Sequence, residues 1–210
     1  MTTSRGRRAL VRAAVVSAVI VPVVMGAPRG HDEGPDIDTI VSRCRASGLT
    51  GWALVDDATA RVHGCLRHES SWHLWYGPEA ALRHGQGRDT QYNVALARAL
   101  RRLGFDVRIV HAALVRGLGT PPWFLRGHLW LQVTHDGHTR DVCAGHAGNR
   151  AGHVPFVAVS EVQVARGWTP WVVAVGLAPF VVDEVWRTII RRRRPREWLY
   201  RPIGTDPGPH

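Results

Sequence analysis

From Gln91 to Leu103 the chain repeats at helical spacing. Asn93, Leu96, Ala97, Leu100 and Leu103 fall on one side, and Arg98, Arg101 and Arg102 on the other. The pattern predicts an amphipathic central helix, capped by Asp89 or Thr90 and stopped at Gly104. Asp106 to Val115 follows with both faces apolar: Val107, Ile109, Ala113 and Val115 on one, Val110, Ala112 and Leu114 on the other. That predicts a central strand. After a loop from Gly117 to Arg126, containing Pro121-Pro122 and Trp123-Phe124, come two more predicted strands, His128 to Thr134 and Thr139 to Cys143. Asp136-Gly137 between them is a strong signal for a tight hairpin.

Upstream, Asp36 is placed to cap a helix through Ile37, Ile40, Val41 and Cys44 that stops at Ser47-Gly48, and Gly51 to His63 predicts a second. Together they make a helical N-terminal lobe. Glu69 to Tyr76 is dense in aromatics, which suits a core position, and Gly77-Pro78-Glu79 opens a short helix through Leu82. Downstream, Gly145 to Gly152 reads as a loop and Val154 to Val164 as a further strand. Trp171 to Val182 is apolar but interrupted at Pro179, so it is expected to dock a C-terminal helix, Val181 to Arg191, onto the core. The chain past Pro202 is expected to be disordered. The divisions expected are a leader or anchor over 1–27, a polar linker over 28–35, one folded domain over 36–190, and a basic tail over 191–210. A chain of 210 residues suits one domain with a real core.

Composition adds three points. All 27 basic residues are arginine, which points to GC-rich coding and a bacterial source. The net charge of +10 gathers at the two ends: Arg5, Arg7, Arg8 and Arg12 at one, Arg187, Arg191 to Arg194, Arg196 and Arg201 at the other. Such ends suit a membrane surface, or are simply solvated. No motif supports specific recognition of nucleic acid. Cys44, Cys65 and Cys143 have neither the number nor the spacing of a disulfide framework or a zinc site, although Cys44 and Cys65 could pair in an exported protein. The N-terminus has the form of a signal peptide: a basic start, an uncharged run from Ala13 to Ala27, and small residues at Gly26 and Ala27, with a cut after Gly26 preferred. Export or anchoring and a plain cytoplasmic extension both remain open.

The candidate chemistry lies between Gly85 and Gly145. Gly87-Arg88-Asp89-Thr90-Gln91-Tyr92-Asn93 opens the central helix, which ends at Leu103-Gly104-Phe105. Gly127-His128-Leu129-Trp130 opens one strand, and Arg140-Asp141-Val142-Cys143 closes the next. This order resembles the transglutaminase-like superfamily, and its arylamine N-acetyltransferase branch in particular. The resemblance implies an α+β, papain-like fold: a helical N-terminal lobe and a central helix packed on an antiparallel sheet. It implies a Cys–His–Asp triad for acyl transfer or amide hydrolysis, with the thiol at the helix start, where the dipole and free N–H groups favour an anion. His128 and Asp141 then take the His and Asp positions, Asp89 stands at the nucleophile position, and Gln91, Asn93 and Trp130 line the substrate side.

A carboxylate in place of the thiol is a poor nucleophile, and beside His128 it holds the ring as an imidazolium. The first reading is therefore a module that has lost thiol chemistry and binds a peptide, a protein side chain or a small acyl compound in the old cleft. The alternative is an active acyltransferase or cysteine hydrolase that uses Cys143, on the same strand face as Asp141, with His128 and Asp141. A metal held by Asp89, His128 and Asp141 ranks last. No cofactor is implied, and nothing in the chain marks a coenzyme A pocket.

Overall fold

The computed structural model describes residues 4–118 and 127–203. The fold is α+β. Its helices are α1 (Ser4–Met25), α2 (Ile37–Ala46), α3 (Gly51–Cys65), α4 (Pro78–His84), α5 (Asp89–Arg102) and α6 (Thr169–Arg191). The longer strands are β3 (Asp106–Ala112), β5 (His128–His135) and β6 (His138–Val142). Short strands complete the chain: β1 (His68–Ser70), β2 (Gln86–Gly87), β4 (Val115–Arg116), β7 (Val157–Ala158), β8 (Gln163–Val164) and β9 (Tyr200–Pro202).

The central helix is α5. Its buried side, which includes Ala95, Leu96, Ala97, Ala99 and Leu100, touches α2, α3 and α4 as well as β3 and β5. The alanines let backbones approach closely, and each buried leucine contributes about 1.5–3 kcal/mol. Beneath it lies an antiparallel sheet in the order β6-β5-β3-β8. Val110 pairs with Trp130 and Ala112 with His128, while Leu131 pairs with Val142 and Gln132 with Asp141. Asp36 caps α2 as expected, its Oδ1 accepting from the Thr39 N–H at 2.7 Å. Asp136 and Gly137 both take positive φ, +49° and +74°, the backbone of the tight hairpin between β5 and β6.

Five expectations change. The central helix is capped by Arg88, and Asp89 is its first helical residue. The long strand expected to reach Val115 ends at Ala112, and β4 is separate, pairing with β7. Val154 to Val164 holds two short strands, not one. Pro179 does not divide the apolar segment: α6 runs through it, because the surrounding turns supply enough bonds to tolerate one carbonyl without a helical donor. The stretch expected as a basic tail also returns to the domain, with Leu199 fully buried and β9 paired to β1. The loop containing Pro121 to Phe124, and the tail from Gly204, lie outside the described residues.

A second, smaller apolar cluster joins Val23 of α1 and Val181 and Val185 of α6 to Trp72 and Leu199. Cys44, Cys65 and Cys143 are all free thiols.

Two glycines separate backbone freedom from close contact. Gly117 has φ +104°, and a Cβ there would lie 2.2 Å from the Pro155 carbonyl oxygen; Gly137 has φ +74° and open space. Gly137→Ala should therefore cost about 1 kcal/mol, the conformational penalty alone. Gly117→Ala should cost clearly more, because backbone must also move. Urea unfolding of the two variants checks the ranking, and equal midpoints would contradict it.

Candidate functional site

The start of α5, the start of β5 and the end of β6 meet at one buried point. His128 is 7% exposed, Asp89 7% and Cys143 2%. His128 faces two partners at once. Its Nδ1 lies 2.9 Å from Asp89 Oδ2, and its Nε2 lies 3.4 Å from Cys143 Sγ. Carboxylate, imidazole and sulfur thus form a row.

Register explains the row. Gln132 lies opposite Asp141, so continuing the pairing sets Cys143 opposite Trp130, two residues along β5 from His128 and on the same face. Asp141 is correspondingly displaced along the sheet. Its Oδ1 accepts from Trp130 Nε1 at 2.9 Å and from Gln132 Nε2 at 3.3 Å. The carboxylate on the imidazole is therefore Asp89, where the sequence pointed to Asp141. The reason is that Asp141 sits one pleat too far from the strand start that carries His128. Among the described residues, no group of three His, Cys, Asp or Glu side chains is placed to hold a metal, so the Asp89, His128 and Asp141 alternative has no shared centre.

The three residues expected on the substrate side are instead engaged within the protein. Gln91 completes the start of α5, its Oε1 accepting from the Arg88 N–H at 2.7 Å and its Nε2 donating to the His73 carbonyl at 3.0 Å. Asn93, fully buried, donates from Nδ2 to the Leu129 carbonyl at 2.7 Å and accepts from the Ala144 N–H at 3.0 Å. Trp130 is buried against Phe156, with ring centroids 5.3 Å apart. Asn93 therefore ties α5 to both strands that carry the site.

Several supporting residues escaped the sequence reading. Phe156 packs edge-on against the His128 ring at 4.6 Å and closes its apolar side. Asn149 donates to the Cys143 carbonyl at 2.7 Å, and His63 Nδ1 lies 2.9 Å from the Ala144 carbonyl. The Gly145 N–H, 3.3 Å away, and Asn93 Nδ2, 3.5 Å away, are aimed at Sγ. The only advance signals were a loop rich in Gly, His and Asn after Cys143, and one phenylalanine in an otherwise plain segment. A cavity of about 250 Å³ lies elsewhere, lined by residues that include Arg43, Arg61, Cys65 and Arg67 and no member of the row.

The sequence matches no protein-family model and no curated protein. Among solved structures, a crystal structure of a transglutaminase is similar with a TM-score of 0.42 and 12% identity, covering 63% of this chain and 34% of that one. The chain thus spans about a third of that protein's length.

The electrostatics of the row oppose burial. Burial alone would neutralise both partners. For Asp89, burial pushes the carboxyl up, but the His128 hydrogen bond, the Arg88 charge and the Leu129 N–H together hold it well below the usual carboxylate range. For His128, burial pushes the ring down, but hydrogen bonds to Asp89 and Cys143 raise it to about 10. The pair is charged at neutral pH. Below about 6.5, the ordinary imidazole value, the His128 contribution to stability is fully present; it is lost as pH rises towards 10. Asp89 contributes above its ordinary value near 3.8 and loses that contribution as pH falls further. Asp89→Asn should cost on the order of 3–5 kcal/mol, the usual effect of removing one member of a buried pair. Its melting temperature should also decline less than the wild type's between pH 6.5 and 10. Thermal unfolding at both pH values tests this, and an unchanged decline in the variant would contradict the pairing.

Proposed function

We propose that this chain is a cysteine-dependent acyl-transfer enzyme of transglutaminase-like type, with Cys143 as nucleophile, His128 as its acid–base partner and Asp89 as the residue that orients the ring. The observation that carries this reading is the row itself: sulfur on Nε2 at 3.4 Å and carboxylate on Nδ1 at 2.9 Å. A charged imidazole no longer argues for lost chemistry once the sulfur sits on its other nitrogen. A thiol held against the second nitrogen of an oriented imidazole is the arrangement of a catalytic cysteine and its acid–base partner.

In this reading the sulfur attacks the carbonyl carbon of an acyl donor, such as a side-chain amide of a peptide or protein, or a small acyl compound. The C–S bond forms, and as the C–N bond breaks His128 passes its proton to the departing amine. A water or amine then attacks the thioester, giving its proton back to His128, and the thiol leaves. Asp89 keeps Nδ1 protonated and Nε2 aimed at sulfur throughout. Asp141 orients Trp130 and takes no part in proton transfer.

One observation favours a second reading, a cleft-binding module without catalysis: Cys143 is 2% exposed, so an acyl donor reaches it only if the covering side chains move. Selective alkylation separates the two. Burial pushes the Cys44 thiol up to about 11 and raises that of Cys65 as well, which makes both slow. Under the enzyme reading, iodoacetamide at pH 7 modifies Cys143 at least ~10-fold faster than either, as expected of a thiol paired with an imidazole. His128→Ala and Asp89→Asn remove that preference, and Asp141→Asn leaves it. Peptide mapping by mass spectrometry reads all three sites at once. Slow, uniform labelling would reject the enzyme and leave the binding module.

A further inference from the structure

Two helices carry apolar side chains that no described residue covers. On α1, Leu10 is 66% exposed, and Val11, Val15, Val16, Ile20 and Val21 are exposed as well. Over residues Gly6–Met25 this helix is long and apolar enough to cross a membrane. Those 20 residues rise about 30 Å, the thickness of a bilayer's hydrocarbon core. On α6, Trp171 is 67% exposed, and Trp168, Val172 and Val175 are exposed beside it.

The pattern identifies what covers them. A protein partner covers one stripe of a helix, whereas the exposed apolar positions of α1 include adjacent pairs, Val15-Val16 and Ile20-Val21, which point in different directions around the axis. Lipid covers a helix on all sides. Arg7, Arg8 and Arg12 at one end of α1, and Arg191 to Arg194 at the end of α6, are exposed and suit anionic headgroups. Tryptophans at 168 and 171 suit the interface between lipid and water.

The same helix is built into the fold. Val23 is buried in the second apolar cluster, and its carbonyl accepts from Trp72 Nε1 at 2.8 Å. The Val19 carbonyl accepts from Trp186 Nε1 at 3.0 Å. Beyond the helix, the Pro28 carbonyl lies 2.9 Å from Nε2 of the buried His73. The cut after Gly26 that the sequence invites falls between these attachments. It would empty the Val23 site and leave Trp72 Nε1 buried without its acceptor, a loss on the scale of an unsatisfied buried donor.

We infer that α1 is retained in the mature protein as a membrane-embedded helix, and that the exposed apolar face of α6 enters the same bilayer, so that the folded domain is held at the membrane surface by both. This does not depend on the role of Cys143. It is tested with the full chain expressed in a bacterial host. Intact mass of the membrane-fraction protein should include the peptide before Gly26, and the protein should stay in the pellet after alkaline carbonate extraction. Purified protein should float with vesicles, more completely when they contain phosphatidylglycerol than with phosphatidylcholine alone. A Val15→Arg/Val16→Arg variant should lose pellet retention, and Val172→Glu/Val175→Glu should weaken it, with unchanged circular dichroism showing that the domain is intact. A mature chain starting after Gly26 or Ala27, or release by carbonate, would overturn the retained anchor. Wild-type retention in the α6 variant would overturn the part assigned to α6. A detergent-free soluble oligomer of the full chain would mean that a second copy, not lipid, covers these faces.

Discussion

A charged imidazole inside a protein is costly unless each of its protons finds an acceptor, and that constraint shapes the centre of this molecule. Nδ1 of His128 meets Asp89, whose own oxygens also accept from the Thr90 N–H at 2.9 Å and the Leu129 N–H at 3.1 Å. Asp89 therefore joins the first turn of α5 to the first residues of β5. Asn93, one turn further along α5, repeats the connection to Leu129 and extends it to Ala144 beyond β6. Helix and sheet are locked in one relative placement, and the row of carboxylate, ring and sulfur follows from it.

In the row, the aspartate stands at the start of α5 and the cysteine just past the end of β6. Here the acid occupies the helix start, where a carboxylate gains from the dipole and from the Thr90 N–H. The sulfur occupies the strand end, where the Gly145 N–H and Asn93 Nδ2 are aimed at it. A carboxylate and a sulfur thus flank one imidazole. Access to the sulfur is narrow, because Cys143 is 2% exposed.

Much of this was legible in the letters. The period of α5, the Asp136-Gly137 hairpin and the Asp36 cap are local signals, and local signals survive folding. The partnership of Asp89 with His128 was also visible, because an acid at the start of α5 and a histidine at the start of β5 belong to elements that pack together. The place of Asp141 was not, because it depends on pairing register: two residues along β6 decide whether a side chain reaches the ring at His128 or the indole at Trp130. Phe156, Asn149 and His63 left only faint signals, since nothing in the local pattern of their segments connects them to the strands. The passage of α6 through Pro179 was missed for a different reason. A single proline costs a helix about 3 kcal/mol, a local debit that more than twenty residues of packing and hydrogen bonding outweigh.

The N-terminal helix and the buried row are connected through an unbroken series of polar contacts. Pro28, just past α1, meets His73 at Nε2; the His73 carbonyl accepts from Gln91; Gln91 accepts from the Arg88 N–H; and Arg88 lies 3.5 Å from Asp89. Burial holds His73 neutral, with its pKa lowered to about 4, so near pH 7 the ring carries one proton. With Ser70 Oγ at 2.6 Å on Nδ1, that proton serves Nε2 and points at Pro28. The carboxylate beside the His128 ring thus stands on the same framework that holds the segment after α1, and a helix embedded in lipid would keep that framework under a fixed restraint. The placement of an apolar helix at one end of the chain and the alignment of His128 at its centre are in this sense one structural problem, solved by the aromatic segment from Ser70 to Tyr76.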